Sequence, residues 1–359
     1  MSPTAAIRGA TVLAGHDLKP MHDAAVVLDG TTIAGVEHAS GTTALLTIDA
    51  SNLVLLPGFI DAHVHIGFAI PRDVVVGGVT TVRDLAWPPE QIWPLVRASA
   101  EPSYPGPQVF AAGQMLTTEG GYPLRAEWAP PRTGRVVVGP GDAHEAVAEQ
   151  ADAGAVVIKV ALNPAVGPTL DELTLAAIVD AAHGRGLKVT GHVWGLAELR
   201  KALNAGMDEL AHMLMSPEPI PAPLLDEMVR SGMTIVPTLS IFFGAAQEIA
   251  IENLWRFVEA GGRVVYGTDL GNQGPQPGID EREVEALARA GLSGIDIVRS
   301  ATVEAAEWLG FADRGHIAPG AAADLVAVEG DPATEPLALT RVRMVWRGGH
   351  LVFPRLAEH

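Results

Sequence analysis

Between residues 57 and 313 of this 359-residue chain, short β-branched runs alternate with helical stretches, and that alternation narrows the fold more than any other feature. Strand character falls at Ile60–His65, Val79–Asp84, Gln108–Ala112, Val156–Val160, Lys188–His192, Glu209–His212, Thr234–Pro237 and Arg263–Asp269, eight runs in all. Helical stretches precede several of them and stop at a glycine, with Gly186, Gly206, Gly232 and Gly262 fitting a repeated helix stop. Thr169-Leu170-Asp171-Glu172 reads as a capping box that starts one helix. Such alternation builds βα units on a parallel sheet, and eight units over about 250 residues match the size of a (β/α)8 TIM barrel. The rival is a doubly wound open sheet, but no G-x-G-x-x-G follows an early strand.

Both ends of the chain read as short strands: Thr11–Leu13, Ala24–Leu28, Thr32–Val36 and Ala44–Ile48 at one end, and Ala323–Val328 and Arg343–Arg347 at the other. Neither set makes a stable sheet alone. Residues 1–56 and 314–359 are therefore expected to combine as a small β-sandwich domain beside an α/β barrel of residues 57–313. The formal net charge of −18 argues against nucleic acid or an anionic membrane surface as a partner. With no cysteine, a metal would be held by nitrogen and oxygen. Residues 1–8 lack the basic and apolar regions of a signal peptide, and no uncharged apolar stretch reaches membrane-spanning length, so a cytoplasmic location is the default expectation.

In a (β/α)8 barrel the chemistry gathers at the carboxyl ends of the strands. Within Asp61-Ala62-His63-Val64-His65, the two-residue period of a strand puts His63 and His65 on one face. The apolar run Leu53–Leu56 precedes them and is read as leading into the same buried strand. Later strand ends supply Lys159, His192, His212 and Asp269, whereas the barrel region's other histidines, His144 and His183, lie in helical stretches. One divalent metal would take His63, His65 and Asp269, and a second His192 and His212. Lys159 sits in the apolar run Val156–Val160, where a plain ammonium would be costly. Addition of CO2 to its neutral amine would give an anionic, bidentate carbamate able to bridge both metals. Zinc is the first expectation, with manganese, iron or cobalt compatible with the same donors.

The order H-x-H, Lys, His, His, Asp on successive strands resembles the metal-dependent amidohydrolase superfamily, in its binuclear subtype with a carboxylated lysine. Pro57-Gly58-Phe59-Ile60-Asp61, Gly78–Asp84, Gly267-Thr268-Asp269, Gly315–Gly320 and Ala323–Val326 carry the resemblance across nearly the whole chain. It implies the terminal β domain and a homo-oligomer, and among branches it points to Xaa-Pro and Xaa-Arg dipeptidase-like enzymes, with relatives that hydrolyse amide-containing xenobiotics and mycotoxins. Two departures stand out. Gly120-Gly121-Tyr122-Pro123 occupies the place of a Gly-Gly-His-Gly run, and the segment between His65 and Gly77 is short.

The expected reaction is attack of a metal-activated hydroxide on a small-molecule amide (C–N) bond, non-peptide or dipeptide-like. Asp269 would serve as base and then acid, and Tyr122 as a hydrogen-bond donor to the carbonyl oxygen. The alternatives are a mononuclear deaminase or cyclic-amide hydrolase, a lactone or carbamate hydrolase using the same site, and a non-enzymatic barrel, which the filled ligand positions disfavour. Phe68, Trp87, Trp194, Met213, Met215, Phe242 and Phe243 lie just past strand ends as candidates for an apolar pocket wall. Arg83 and Asp84 are read first as structural residues. No arginine cluster calls for a substrate carboxylate.

Overall fold

Strands that bury both faces read as unbroken apolar and β-branched runs, which is the behaviour of parallel strands covered by helices. Val79–Asp84 is such a strand, with all six residues buried. In the computed structural model, which describes residues 5–41, 44 and 46–354, it lies between Phe59–Val64 and Gln108–Ala111 in a parallel three-stranded sheet. A second parallel sheet has the order Gly134–Val136, Met115–Thr117, Ile158–Leu162, Val189–Val193, Glu209–Leu210, Thr234–Ile235, Arg263–Val264. Helices separate most of these strands, which makes the fold α/β.

Backbone hydrogen bonds link the two sheets on both sides. Ala62 N donates to Tyr266 O at 3.0 Å, Asp269 N to His63 O at 2.8 Å and His65 N to Leu270 O at 2.7 Å; on the other side Val156 N donates to Ala111 O at 3.0 Å. The helix Glu172–His183 shows how the outer layer is held. It buries Leu175, Ile178, Val179 and Ala182, a stripe at the helical repeat facing the sheet.

Strands from both ends of the chain form one eight-stranded sheet. Leu53–Pro57 joins the two sets, pairing parallel with Ala5–Ala14 and antiparallel with Leu325–Glu329. Ile7, Val26, Leu28, Leu55, Leu325 and Trp346 share its core. The hydrogen bonding is thus continuous rather than divided between two sheets as in the expected sandwich, because this central strand serves both halves. The strand foreseen at Ala44–Ile48 is observed at Leu46–Asp49, and residue 45 lies outside the described residues.

Several expectations change in detail. Leu53–Pro57 belongs to the terminal sheet and not to the strand carrying His63, because the chain crosses between sheets at Gly58. A Cβ at Gly58 would lie 2.2 Å from Thr80 Oγ1, so only glycine fits that crossing. The helix start is Asp171, not Thr169: its carboxylate accepts from Thr174 N at 2.8 Å. At the last helix stop the left-handed residue is Gly261 (φ 86°), while Gly262 is required by the Phe257 ring, 2.3 Å from where a Cβ would stand. Met115–Thr117, Gly134–Val136 and His350–Phe353 are strands that the β-branched pattern did not reveal. Among the described residues no helix is long and apolar enough to cross a membrane.

Candidate metal centre

All six residues expected at strand ends line one cavity of about 270 Å³: His63, His65, Lys159, His192, His212 and Asp269. Each is buried, and Tyr122 lines the same space. His144 lies in the helix Gly139–Ala153 and His183 pairs with Asp208 at 2.9 Å, both away from the cavity.

The outward nitrogens fix how the imidazoles present themselves. His63 Nδ1 lies 2.7 Å from Ala211 O and His65 Nδ1 lies 3.2 Å from Ala86 O. A carbonyl only accepts, so both Nδ1 atoms carry the proton and both Nε2 lone pairs face inward, the arrangement a metal-ligating histidine needs. Those Nε2 atoms stand 3.3 and 3.4 Å from Asp269 Oδ1. Two donors each about 2.1 Å from one ion, at tetrahedral to octahedral angles, are roughly 3.0–3.4 Å apart. Among the described residues His63, His65 and Asp269 are the group whose ligand atoms all fall within 4.8 Å of one another.

The second pair is built differently. His192 Nδ1 and His212 Nε2 converge to 3.2 Å. Their far nitrogens are held by Asn163 Nδ2 at 3.0 Å and Thr238 Oγ1 at 2.9 Å. Asp269 Oδ2 lies 3.8 Å from His212 Nδ1 and accepts from Asn272 Nδ2 at 3.1 Å. Asp269 has a left-handed backbone (φ 60°), unusual for a non-glycine residue, and its N–H donates to His63 O.

Three buried polar atoms have no hydrogen-bond partner here: His63 Nε2, Lys159 Nζ and Asp269 Oδ1. Leaving such atoms unsatisfied is costly. A nitrogen and oxygen donor set of this kind, buried and open on one side, fits divalent cations. The titration behaviour agrees. Burial, reinforced by the Lys159 charge, lowers His65 to about 4 and His192 to about 3. His63 and His212 fall well below the ordinary range, with burial again the largest cause. All four rings are therefore neutral and able to ligate near pH 7. Burial lowers Lys159, favouring its free amine, and raises Asp269.

Supporting carboxylates surround the ligands. Asp61 Oδ1 accepts from His63 N at 3.0 Å and Thr268 N at 3.1 Å, while Oδ2 accepts from Thr268 Oγ1 at 2.6 Å. It thus joins the first and last strand ends. Asp84 accepts from Ile66 N at 2.8 Å and Ala86 N at 3.1 Å, which shapes the backbone beyond His65. Arg83 makes a buried two-point contact with Glu209, so it is structural as expected.

The cavity wall is aromatic. Phe68 and Met215 line it as foreseen, whereas Trp87, Trp194, Met213, Phe242 and Phe243 do not. Trp87 stands behind Phe68, edge-on at 4.8 Å. Met115, Trp128, Gly271, Asn272 and Gln273 complete the lining and were missed, as was Asn163 behind His192; isolated loop residues and a three-residue strand carry no periodic signal. Trp128 Nε1 donates to Tyr122 Oη at 3.1 Å, and the Tyr122 ring stacks on His192 at 4.7 Å.

An α/β fold whose parallel strands carry, within them or in the segments just beyond, four neutral imidazoles, a lysine and an aspartate defines a protein with a metal-type centre; Lys159 is the second residue of Ile158–Leu162 rather than a strand end as expected. The amidohydrolase family pattern matches residues 54–352, and the chain belongs to that family of enzymes. It is 30% identical over 329 residues to adenine deaminase 2 of Rhizobium meliloti (strain 1021), covering 84% of this chain and 50% of that protein. It thus spans about half the length of that relative. It is 25% identical over 426 residues to the ochratoxinase of Aspergillus niger, covering 95% of this chain and 85% of that protein. A solved Xaa-Pro dipeptidase with bound methionine superposes with a TM-score of 0.83 at 25% identity, covering 97% of this chain and 99% of that one.

Proposed function

We propose that the chain is a binuclear metal-dependent hydrolase of an amide (C–N) bond in a small molecule. The observation that carries this reading is the convergence on one cavity of three buried, unpartnered donor atoms, His63 Nε2, Lys159 Nζ and Asp269 Oδ1. The two parallel sheets close into a (β/α)8 barrel with this cavity at its carboxyl end, a reading supported by the hydrogen bonds on both sides of the three-stranded sheet. The accessory β domain expected of residues 1–56 and 314–359 is supported by the one sheet that their described strands share.

His63, His65 and Asp269 would hold one ion, His192 and His212 the other, and Lys159, as its carbamate, would bridge them. Carbamate formation joins the neutral Lys159 nitrogen to CO2 with loss of one proton, which the lowered lysine pKa favours. When bound, two divalent ions lower the pKa of a water towards neutrality and polarise a carbonyl. Asp269 takes the proton of the attacking water and returns it to the leaving nitrogen, with Asn272 holding its Oδ2 in place. Because the Trp128 N–H already donates to the Tyr122 oxygen, the phenolic proton is free to donate to the carbonyl oxygen as charge develops there. Burial raises the Tyr122 pKa, so that proton is retained.

The test is Asp269→Asn assayed on a panel of N-acyl amides, N-acyl amino acids and dipeptides. Turnover falls by roughly 10²–10⁴ on loss of the proton carrier while most metal is retained; near-normal turnover would sink the role. A one-ion deaminase reading has its own support, since His63, His65 and Asp269 already form a closed group and the adenine deaminase shares 30% identity. Ammonia release from adenine, unaffected by loss of Lys159, would favour it.

A further inference from the structure

We infer that the substrate is an uncharged aryl amide, one whose group next to the scissile bond is an aromatic ring and which carries no free carboxylate. This rests on the amide-hydrolase reading and narrows it.

The cavity has one apolar wall and almost no positive charge beyond the site itself. Phe68, Trp128 and Tyr122 form a continuous run of rings: Trp128 lies 6.2 Å from Phe68 edge-on and 6.0 Å from Tyr122. Phe68 is 48% exposed although it is a large apolar side chain at the mouth. Covering it with a flat apolar group removes that surface from water at about 25 cal/mol per Å². Met115 and Met215 add polarizable, adaptable surfaces that pack well against aromatic edges.

Among the described residues no arginine lines the cavity, and Lys159 is its one lysine. It lies at the floor among the metal-type donors and is not available to a substrate carboxylate. Arg125, in the turn between Tyr122 and Trp128, and Arg282, in the helix Glu281–Arg289, do not line the cavity, and Arg282 is engaged over the Phe243 ring at 4.6 Å. The polar groups on the loop after Asp269 are the amides of Asn272 and Gln273, which suit a neutral partner. A carboxylate brought here would lose hydration without a matching cation at the mouth, which is unfavourable. The net charge of −18 opposes anions at long range as well.

The experiment compares N-benzoylglycinamide with N-benzoylglycine, which share the aryl amide and differ in the carboxylate. Calorimetric binding is measured on metal-replete Asp269→Asn protein, and turnover on the parent enzyme. The expected result is at least tenfold tighter binding of the neutral compound, reduced at least tenfold by Trp128→Ala. Gln273→Arg should narrow the gap by bringing a guanidinium to the mouth. Equal or tighter binding of N-benzoylglycine by the Asp269→Asn protein, or binding of neither, overturns the inference. Preferential binding of the neutral compound without its cleavage by the parent upholds the pocket's selectivity and overturns the amide-hydrolase reading instead.

Discussion

Replacing Arg83 with methionine should cost the fold about 3–5 kcal/mol, because it strips a buried carboxylate of its cation. Arg83 is 1% exposed and Glu209 0%. The guanidinium donates through Nη2 to Glu209 Oε1 at 2.6 Å, through Nη1 to Oε2 at 3.2 Å, and through Nε to Ala62 O at 2.7 Å. After the change Glu209 keeps the indole N–H of Trp308 but loses the guanidinium hydrogen-bonded to both of its oxygens. A large chain loses about 2 °C of melting temperature per kcal/mol, so the apparent Tm should drop by roughly 6–10 °C. The assay is a thermal melt at equal metal loading, since any ligand bound to the native state raises Tm by itself. The double variant Arg83→Met with Glu209→Leu removes both charges and should regain most of the loss. A second readout links the pair to the site, because Glu209 raises the Lys159 pKa and Arg83 lowers it. Arg83→Met alone should therefore disfavour the neutral amine and weaken metal retention. A single variant within about 2 °C of the parent, or a double variant as unstable as the two singles summed, would refute this reasoning.

Burial pushes Glu283 up to about 8. Between an unfolded value near ~4.3 and that point the folded chain keeps a proton the unfolded chain has released, so stability falls as pH rises through the window. Glu283→Gln should flatten the dependence, with Tm measured from pH 5 to pH 9; an unchanged slope would count against it. Asp61→Asn leaves one oxygen to accept what two oxygens accept from His63 N, Thr268 N and Thr268 Oγ1. A loss of about 1–3 kcal/mol is expected, together with weaker metal retention, and a denaturant midpoint equal to the parent's would contradict it. Gly262→Ala puts a Cβ 2.3 Å from the Phe257 ring and should cost about 1–3 kcal/mol as overpacking. A melting curve that superposes on the parent's would show that the ring yields freely. Exhaustive dialysis against a chelator should lower Tm, and re-addition of a divalent ion should restore it.

The parts of the fold set by local chemistry could be read directly. Val79–Asp84 is legible to the residue because a β-branched strand buried on both faces has a distinctive composition. The six donor residues stand out because each lies within or at the end of a strand-like run, and the cavity does gather them. What was not legible depends on distant partners. Leu53–Pro57 looks the same whether it leads into the His63 strand or joins the terminal sheet, and its assignment is decided by the crossing at Gly58 against Thr80. Met115–Thr117 and Gly134–Val136 are three-residue strands, too short for any period to show. Trp128, Asn163 and Asn272 gain their meaning from Tyr122, His192 and Asp269, each met across a loop. Phe242 and Met213 illustrate the converse, since apolar residues just past strand ends went into the core rather than the cavity wall.

The most direct test of the central claim is metal content per chain on protein purified without chelator, set against Lys159→Ala prepared in parallel. The account predicts about two divalent ions per chain in the parent, the number that its two groups of donors hold, and a sharp fall in the variant. One ion per chain, unchanged when Lys159 is lost, would contradict the bridged two-metal centre.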